Sequence, residues 1–367
     1  MSASRRTIVV IHPGGLGDVL LSLGALAAIR AGFPQREIVL LVGLDVGQLL
    51  VHCGVADHVW AIESGLLGAL FTGKEGLSPD QLAVFRRCDL VVGWLHDQAG
   101  ALSRTMQELD VPRVILQSPA STEGSHQSER FLHTLQGELR VESRPPVGLY
   151  LPDPVRQSGA AALGVSGIGQ ALPLIMCHPG SGSIHKCVRA DMWGSIIRGC
   201  RARQLMPVVI LGPADDRAGD VIQAQGIHDL PILRPQSVTM LAAVLAQAQG
   251  YIGHDSGVTH LAALLGLPTV AMFGPTDERR WAPQGLHVEV IKGNVCACAD
   301  WSAVRACVEK PCLNVNLEEV FEALGLPDVG TRRVLYTDGR WADLRRGGSV
   351  LLDIDGRTLV CDGLIEP

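Results

Sequence analysis

The sequence predicts an α/β fold of two Rossmann-like halves with parallel sheets facing a cleft, plus a small C-terminal β appendage. Three observations predict it. Short runs rich in Val, Ile and Leu alternate with helical stretches along most of the 367 residues. The opening "VVIHPGGLGD" (9–18) is echoed by "LIMCHPGSGS" (174–183), each an apolar strand ending in His-Pro-Gly and a small-residue loop. From Arg332 onward the character changes: the runs "RVLY", "SVLLDI" and "RTLVC" are spaced by Asp338-Gly339 and Asp355-Gly356, dipeptides that favour tight hairpins.

Taken in order, strands are expected over 8–11, 38–42, 89–92 and 114–116, then 174–177, 208–211, 251–253, 269–273 and 288–291. Continuous apolar strands bounded by turn residues suit parallel sheets covered on both faces. The lengths between them suit crossover helices. Residues 141–173 are rich in Pro and Gly and read as an interdomain connection. The expected division is therefore 1–150, a linker at 151–171, a second half at 172–330 and the appendage at 331–367. Ligands of open α/β sheets bind in the cleft such halves form.

Composition narrows the function classes. At 47% apolar and 19% charged, the chain suits a compact enzyme rather than a disordered segment, and its length exceeds what one core usually serves. A net charge of −6 gives no global electrostatic case for nucleic acid. The best apolar run, 19–29, is too short to span a bilayer. Arg5 and Arg6 precede an apolar stretch, but His12, Pro13 and Asp18 interrupt it, which disfavours an export signal. The ten cysteines are therefore expected to be reduced thiols or metal ligands, and the protein cytoplasmic.

The most specific segment is "YIGHDSGVTHLAALLGLPTVAMFGPTDERRWAP" (251–283). A strand ends at Gly253, and Asp255-Ser256-Gly257 opens a helix with Leu261, Ala262, Leu264 and Leu265 on its apolar face. Small residues at a helix N-terminus leave backbone N–H groups free, and the helix dipole adds positive potential, a combination that binds phosphate. Ser256 and Thr259 are expected to add hydroxyl donors. Asp255 or Ser256 alone also fits a plain N-cap; strand, turn, helix, strand and "FGPTD" as a unit point to a site.

"HPGGLGDVLLSLGALAAIR", "HPGSGSIHKCVRADMW" and the 251–283 segment together resemble the ADP-heptose:lipopolysaccharide heptosyltransferase family, inverting GT-B glycosyltransferases. The resemblance covers roughly residues 7 to 326, tighter in the C-terminal half, and leaves the appendage outside. It implies an ADP-heptose donor, a lipopolysaccharide inner-core acceptor, no obligatory metal, and a place in the cytoplasm or against the cytoplasmic face of the inner membrane. It also implies roles. Asp18 matches the family's Gly-Asp carboxylate, the general base, which works best when partly desolvated. By position alone Asp18 better fits a residue stabilised by the helix dipole, and it is the other two motifs that favour the base.

Ser181, Gly182 and Ser183 match the loop around the donor phosphates, and Lys186 the lysine on the diphosphate, where a cation stabilises developing charge. The match departs at "SIHKCVRADMW", where relatives show Lys-x-Trp-Pro, and His185 and Arg189 flank the lysine. Asp255 would face the donor sugar, while the amides of Ser256, Gly257, Val258 and Thr259 hold phosphate. His260 fits the same site or a packed position. On the acceptor side the resemblance implies Gly14 and Gly15, with His126 and Arg130 from "HQSERFLHTL" as further contacts; an ordinary solvated face is the alternative.

Cys296, Cys298, Cys307 and Cys312 form C-x-C-x8-C-x4-C, and the family carries cysteines before a similar stretch. Four thiolates suit zinc or iron. The pattern lacks the paired C-x2-C knuckles of a strong zinc signal, so reduced cysteines beside the donor pocket are the favoured reading. Three other functions fit the same architecture: transfer to a protein acceptor such as an autotransporter, a sugar-nucleotide epimerase, and a non-catalytic sugar-nucleotide-binding protein.

Overall fold

The computed structural model describes residues 6–124, 126–137, 139, 148–169, 171–227 and 229–325, with four strands beyond them. In the N-terminal half, β1 (Thr7–Ile11), β2 (Glu37–Val42), β3 (His58–Ala61), β4 (Cys88–Gly93) and β5 (Val114–Leu116) form a parallel sheet in the order β3-β2-β1-β4-β5. Helices α1 (Leu16–Leu21), α2 (Leu23–Gly32), α3 (Leu44–His52), α4 (Leu66–Thr72), α5 (Pro79–Phe85), α6 (Ala101–Glu108) and α7 (Gln127–His133) belong to this half.

The C-terminal half begins with α8 (Asp153–Val165). Its strands β6 (Leu174–His178), β7 (Met206–Ile210), β8 (Ile232–Leu233), β9 (Gly250–His254), β10 (Thr269–Phe273) and β11 (Val288–Lys292) lie parallel in the order β11-β10-β9-β6-β7-β8. With them run α9 (Ala190–Ala202), α10 (Asp216–Gln223), α11 (Val238–Leu245), α12 (Gly257–Leu264), α13 (Glu278–Trp281), α14 (Trp301–Ala306) and α15 (Leu317–Leu324). Counted from its own first strand, each sheet has the doubly wound order 3-2-1-4-5, continued to 6 in the second. The winding reverses between β1 and β4 and again between β6 and β9. Such switch points, at the carboxyl ends of the strands, are where open α/β sheets bind ligands.

Burial explains why these segments are strands. All five residues of β1 are buried, with Ile8 and Val10 in one apolar cluster and Val9 and Ile11 in another. In β6, Leu174 and Met176 join the same cluster as Ile8 and Val10, while Ile175 and Cys177 face the opposite side. Strands covered on both faces lose the polar alternation of a half-exposed sheet, which is why continuous apolar runs mark them. Each fully buried side chain of this size contributes about 1.5–3 kcal/mol, and the shared cluster ties the two halves together.

All nine expected strands are present, with ends displaced by up to two residues. Two more, β3 and β8, escaped sequence reading. β3 lies at a sheet edge as "HVWA" with none of its residues buried, and β8 has only two residues, so neither carries an apolar run. The Pro- and Gly-rich connection is not irregular throughout: α8 occupies Asp153–Val165, with a proline in its first turn where a missing N–H costs no intrahelical bond, and it packs on α11. Beyond Gly325, Thr331–Leu335 pairs antiparallel with Trp341–Arg345, and Val350–Ile354 with Arg357–Cys361. The Asp-Gly dipeptides expected to turn these pairs, and Arg5 of the export-signal argument, lie outside the described residues. Among the described residues no helix is long and apolar enough to cross a membrane.

Candidate active site between the two sheets

From the end of β1 the chain turns through His12, Pro13, Gly14 and Gly15 into α1, whose first turn carries Asp18. Asp18 is half-buried. Burial pushes its carboxyl above the ordinary carboxylate range; the Gly15 backbone and nearby Lys186 oppose that shift, and Asp255 adds to it. Beneath the loop, His12 Nδ1 accepts the Gly14 N–H at 3.0 Å, which places the ring proton on Nε2. That Nε2 is buried without a partner. Burial holds His12 at about 4, so the ring is neutral at working pH, and it packs against Trp94 and Phe131.

The second loop follows β6. Ser181 Oγ donates to the Asp255 carbonyl at 2.7 Å, and Ser183 Oγ accepts the His185 N–H at 3.3 Å. Ser183 thereby caps the short turn Ile184–Lys186. Lys186 Nζ reaches Asp255 Oδ2 at 2.7 Å, with side chains 22% and 8% exposed. Lys186 is therefore the cation at this corner; Arg189 is exposed and pairs with Asp191, and His185 lies against the cysteines instead. Gly182 faces open space.

The third loop joins β9 to α12. His254 is fully buried; its Nε2 accepts the Val188 N–H at 3.0 Å and its Nδ1 donates to the Gly180 carbonyl at 3.3 Å. Burial lowers it to about 4, as it does the neighbouring His260. Ser256 caps α12, its Oγ accepting the Thr259 N–H at 3.4 Å. Behind it, His178 Nε2 donates to Asp215 Oδ2 at 3.0 Å, leaving Nδ1 to accept the Ser256 hydroxyl at 3.3 Å. Burial raises the Asp215 carboxyl, but its hydrogen bond and attraction to His178, with the Gly212 N–H, bring it below the ordinary range.

This wiring corrects one expectation. Thr259 is fully buried and its hydroxyl donates to the His254 carbonyl, while the Ser256 hydroxyl is committed to His178. Neither hydroxyl proton is spare for a phosphate. What α12 offers instead is the N–H groups of Gly257 and Val258, which have no partner inside the helix, and the positive end of the helix.

Two glycines let the halves meet. A Cβ on Gly257 would lie 2.9 Å from Gly17 N and 2.9 Å from Leu16 Cβ, so the first turns of α1 and α12 touch backbone to backbone. His260 lies at the same contact, 3.2 Å from where a Gly17 Cβ would sit; its place is a packed one. The structure thus gathers Asp18, Lys186, Asp255, Ser181 and the start of α12 at both switch points.

His126 and Arg130 both take part in hydrogen bonds around α7. His126 caps α7 and its Nε2 donates to the Ala282 carbonyl at 3.0 Å, beside Arg280 to Gln127 at 3.0 Å and Gln284 to Ser128 at 2.7 Å. Arg130 donates to the Ala120 and Thr122 carbonyls. Both hold α7 to its surroundings, and His126 lies close enough to His260 for its charge to act on that ring. The supports missed in the sequence are His12, His178, His254 and Asp215. The repeated His-Pro was a visible signal for the first two; nothing around Asp215 marked it as the partner of His178.

The family profile of glycosyltransferase family 9 (heptosyltransferase) matches residues 126–312, just over half of the chain. The chain belongs to this family. Among curated relatives, lipopolysaccharide heptosyltransferase 3 of Escherichia coli is 25% identical over 295 residues, 73% of this chain and 83% of that protein. Among solved structures, a family 9 glycosyltransferase from Veillonella parvula superposes with a TM-score of 0.71 at 18% identity, over 89% of this chain and 98% of that one. The E. coli ADP-heptose lipopolysaccharide heptosyltransferase II gives 0.65 at 17% identity, over 87% and 98%. This family 9 glycosyltransferase is thus an enzyme with the two-sheet GT-B fold, its loops meeting where β1, β6 and β9 end.

Proposed function

We propose that this glycosyltransferase moves a heptose, with inversion, from ADP-heptose to a hydroxyl of a lipopolysaccharide inner core. The names of the E. coli relatives support donor and acceptor class. In this reading residues 1–150 hold the acceptor and 172–330 the donor, at the cytoplasmic face of the inner membrane.

The observation that carries the mechanism is Asp18, desolvated and facing the Lys186–Asp255 pair across the line where the halves meet. Asp18 takes the proton of the acceptor hydroxyl as its oxygen attacks the anomeric carbon. The bond from that carbon to the diphosphate breaks on the opposite side, and ADP leaves with the electron pair. A carboxylate raised by burial is a stronger base than one in water, and proton transfer of this kind contributes about 10²–10⁴-fold. Lys186 and the free N–H groups of α12 stabilise the charge gathering on the diphosphate. Asp255 sets the position of Lys186 and stands beside the sugar.

Two measurements test the reading. Thermal shift with ADP-, UDP- and GDP-sugars should show stabilisation by the ADP-sugar; a preference for UDP or GDP would remove the donor assignment. Asp18→Ala should abolish transfer and keep donor binding, and full activity in that variant would remove Asp18 as the base.

A further inference from the structure

The proposed transfer leaves residues 293–313, between β11 and α15, without a role. Their own structure is slight: the six-residue α14 and a single turn at Pro311–Leu313. Their large apolar side chains include Val295 (96% exposed), Val308 (92%) and Trp301 (44%). A segment with so little core needs another fastener to hold one conformation.

Cys296, Cys298 and Cys307 bring their Sγ atoms within 4.8 Å of one another, and buried Cys312 lines the same pocket. Four sulfurs about 2.3 Å from a tetrahedral cation lie about 3.8 Å apart, so these three sulfurs need close by no more than about 1 Å to face one ion, and Cys312 stands in the wall of the same pocket as the fourth. Cys296 and Cys298 are 3.0 Å apart, well beyond the roughly 2.05 Å of a disulfide. Val304 and Pro275 supply apolar wall, and Lys310 lines the pocket with a positive charge that favours thiolates. His185 also lines it, and its Nδ1 is buried without a partner.

We propose that Cys296, Cys298, Cys307 and Cys312 hold one thiophilic divalent cation, zinc or ferrous iron, as a structural staple. The thiols release their protons to solvent as they bind. The staple acts next to the donor loop: Lys310 Nζ donates to the Ile184 carbonyl at 3.3 Å, and His185 separates that residue from Lys186. Spacing in the sequence made a metal the weaker reading because C-x-C and a lone cysteine eight residues on are poor knuckles; folding brings the sulfurs together regardless.

The test begins with the whole chain purified without chelator. Elemental analysis should find about one zinc or iron per chain; visible absorption after air oxidation separates a ferric thiolate from zinc. Cys296→Ser/Cys298→Ser should lower the metal content at least tenfold. Removing the metal from the unmodified protein with a chelator should expose the four thiols to a thiol reagent and open residues 293–313 to proteolysis, with a several-fold rise in KM for the donor sugar. Metal below about a tenth per chain in the unmodified protein, with these thiols reacting freely in the native state, overturns the proposal. So does a disulfide among the four found by mass spectrometry.

Discussion

Lowering the pH from 7.5 to 5 should reduce the unfolding free energy by about 6 kcal/mol, because three buried histidines resist protonation in the folded state. His12, His254 and His260 lie at about 4 when folded, against an ordinary value of 6.5. A folded value below the unfolded one means the unfolded chain binds more protons, so stability is lost as the pH falls through 6.5 toward 4. At pH 5 the unfolded imidazoles are almost fully charged and the folded ones mostly neutral, about 2 kcal/mol for each. Against a typical total of 5–15 kcal/mol that is decisive. Asp18 works in the opposite sense, its raised carboxyl favouring the folded state as pH falls, and offsets part of the loss. The lowered carboxylates Asp57, Asp89, Asp97 and Asp215 release their stabilisation only toward pH 3.8 and below, outside this window.

The site should fail with the fold. A proton on His254 Nε2 displaces the Val188 N–H, and one on His12 Nδ1 displaces that of Gly14. Urea unfolding at half-unit pH steps, with activity measured alongside, provides the assay. A free energy that changes by less than about 1 kcal/mol across the window, or NMR titration of these rings near 6.5, would refute the reasoning.

Asp18→Asn should lower transfer about 10²–10⁴-fold and remove the acid limb of kcat/KM, whose wild-type midpoint lies above the usual carboxylate range. Its raised carboxyl costs stability once the pH has risen through the folded value, so the Asn variant should melt no lower at pH 7; a lower Tm would make Asp18 structural. Lys186→Met should destabilise the fold by about 1–3 kcal/mol by leaving Asp255 buried without its partner, and adding Asp255→Asn should recover most of that without restoring transfer. Chemical denaturation of the single and double variants measures the coupling. Gly257→Ala should cost about 1–3 kcal/mol and lower kcat, since a Cβ 2.9 Å from Gly17 N forces the two halves apart. Gly68→Ala in α4, with nothing within 4 Å of the added Cβ, is the control and should be neutral or slightly stabilising; equal Tm values for both variants would remove the contact argument.

The alternation of apolar runs and helices determined the two parallel sheets, because a strand buried on both faces must be apolar throughout. The sequence also announced the loops of Asp18, Lys186 and Asp255, since a tight turn from strand into helix needs small residues that stay visible in one dimension. Three things were decided only by tertiary structure. The winding order put the ends of β1, β6 and β9 together, which depends on how strands neighbour one another and not on what each contains. Burial keeps His12 and His254 neutral and raises the proton affinity of Asp18; an isolated imidazole or carboxyl keeps its ordinary value until packing strips its water. Hydrogen-bond partners reassigned the hydroxyls of Ser256 and Thr259 from phosphate to His178 and the His254 carbonyl, because a hydroxyl has one proton to give and the residue that receives it can lie dozens of positions away.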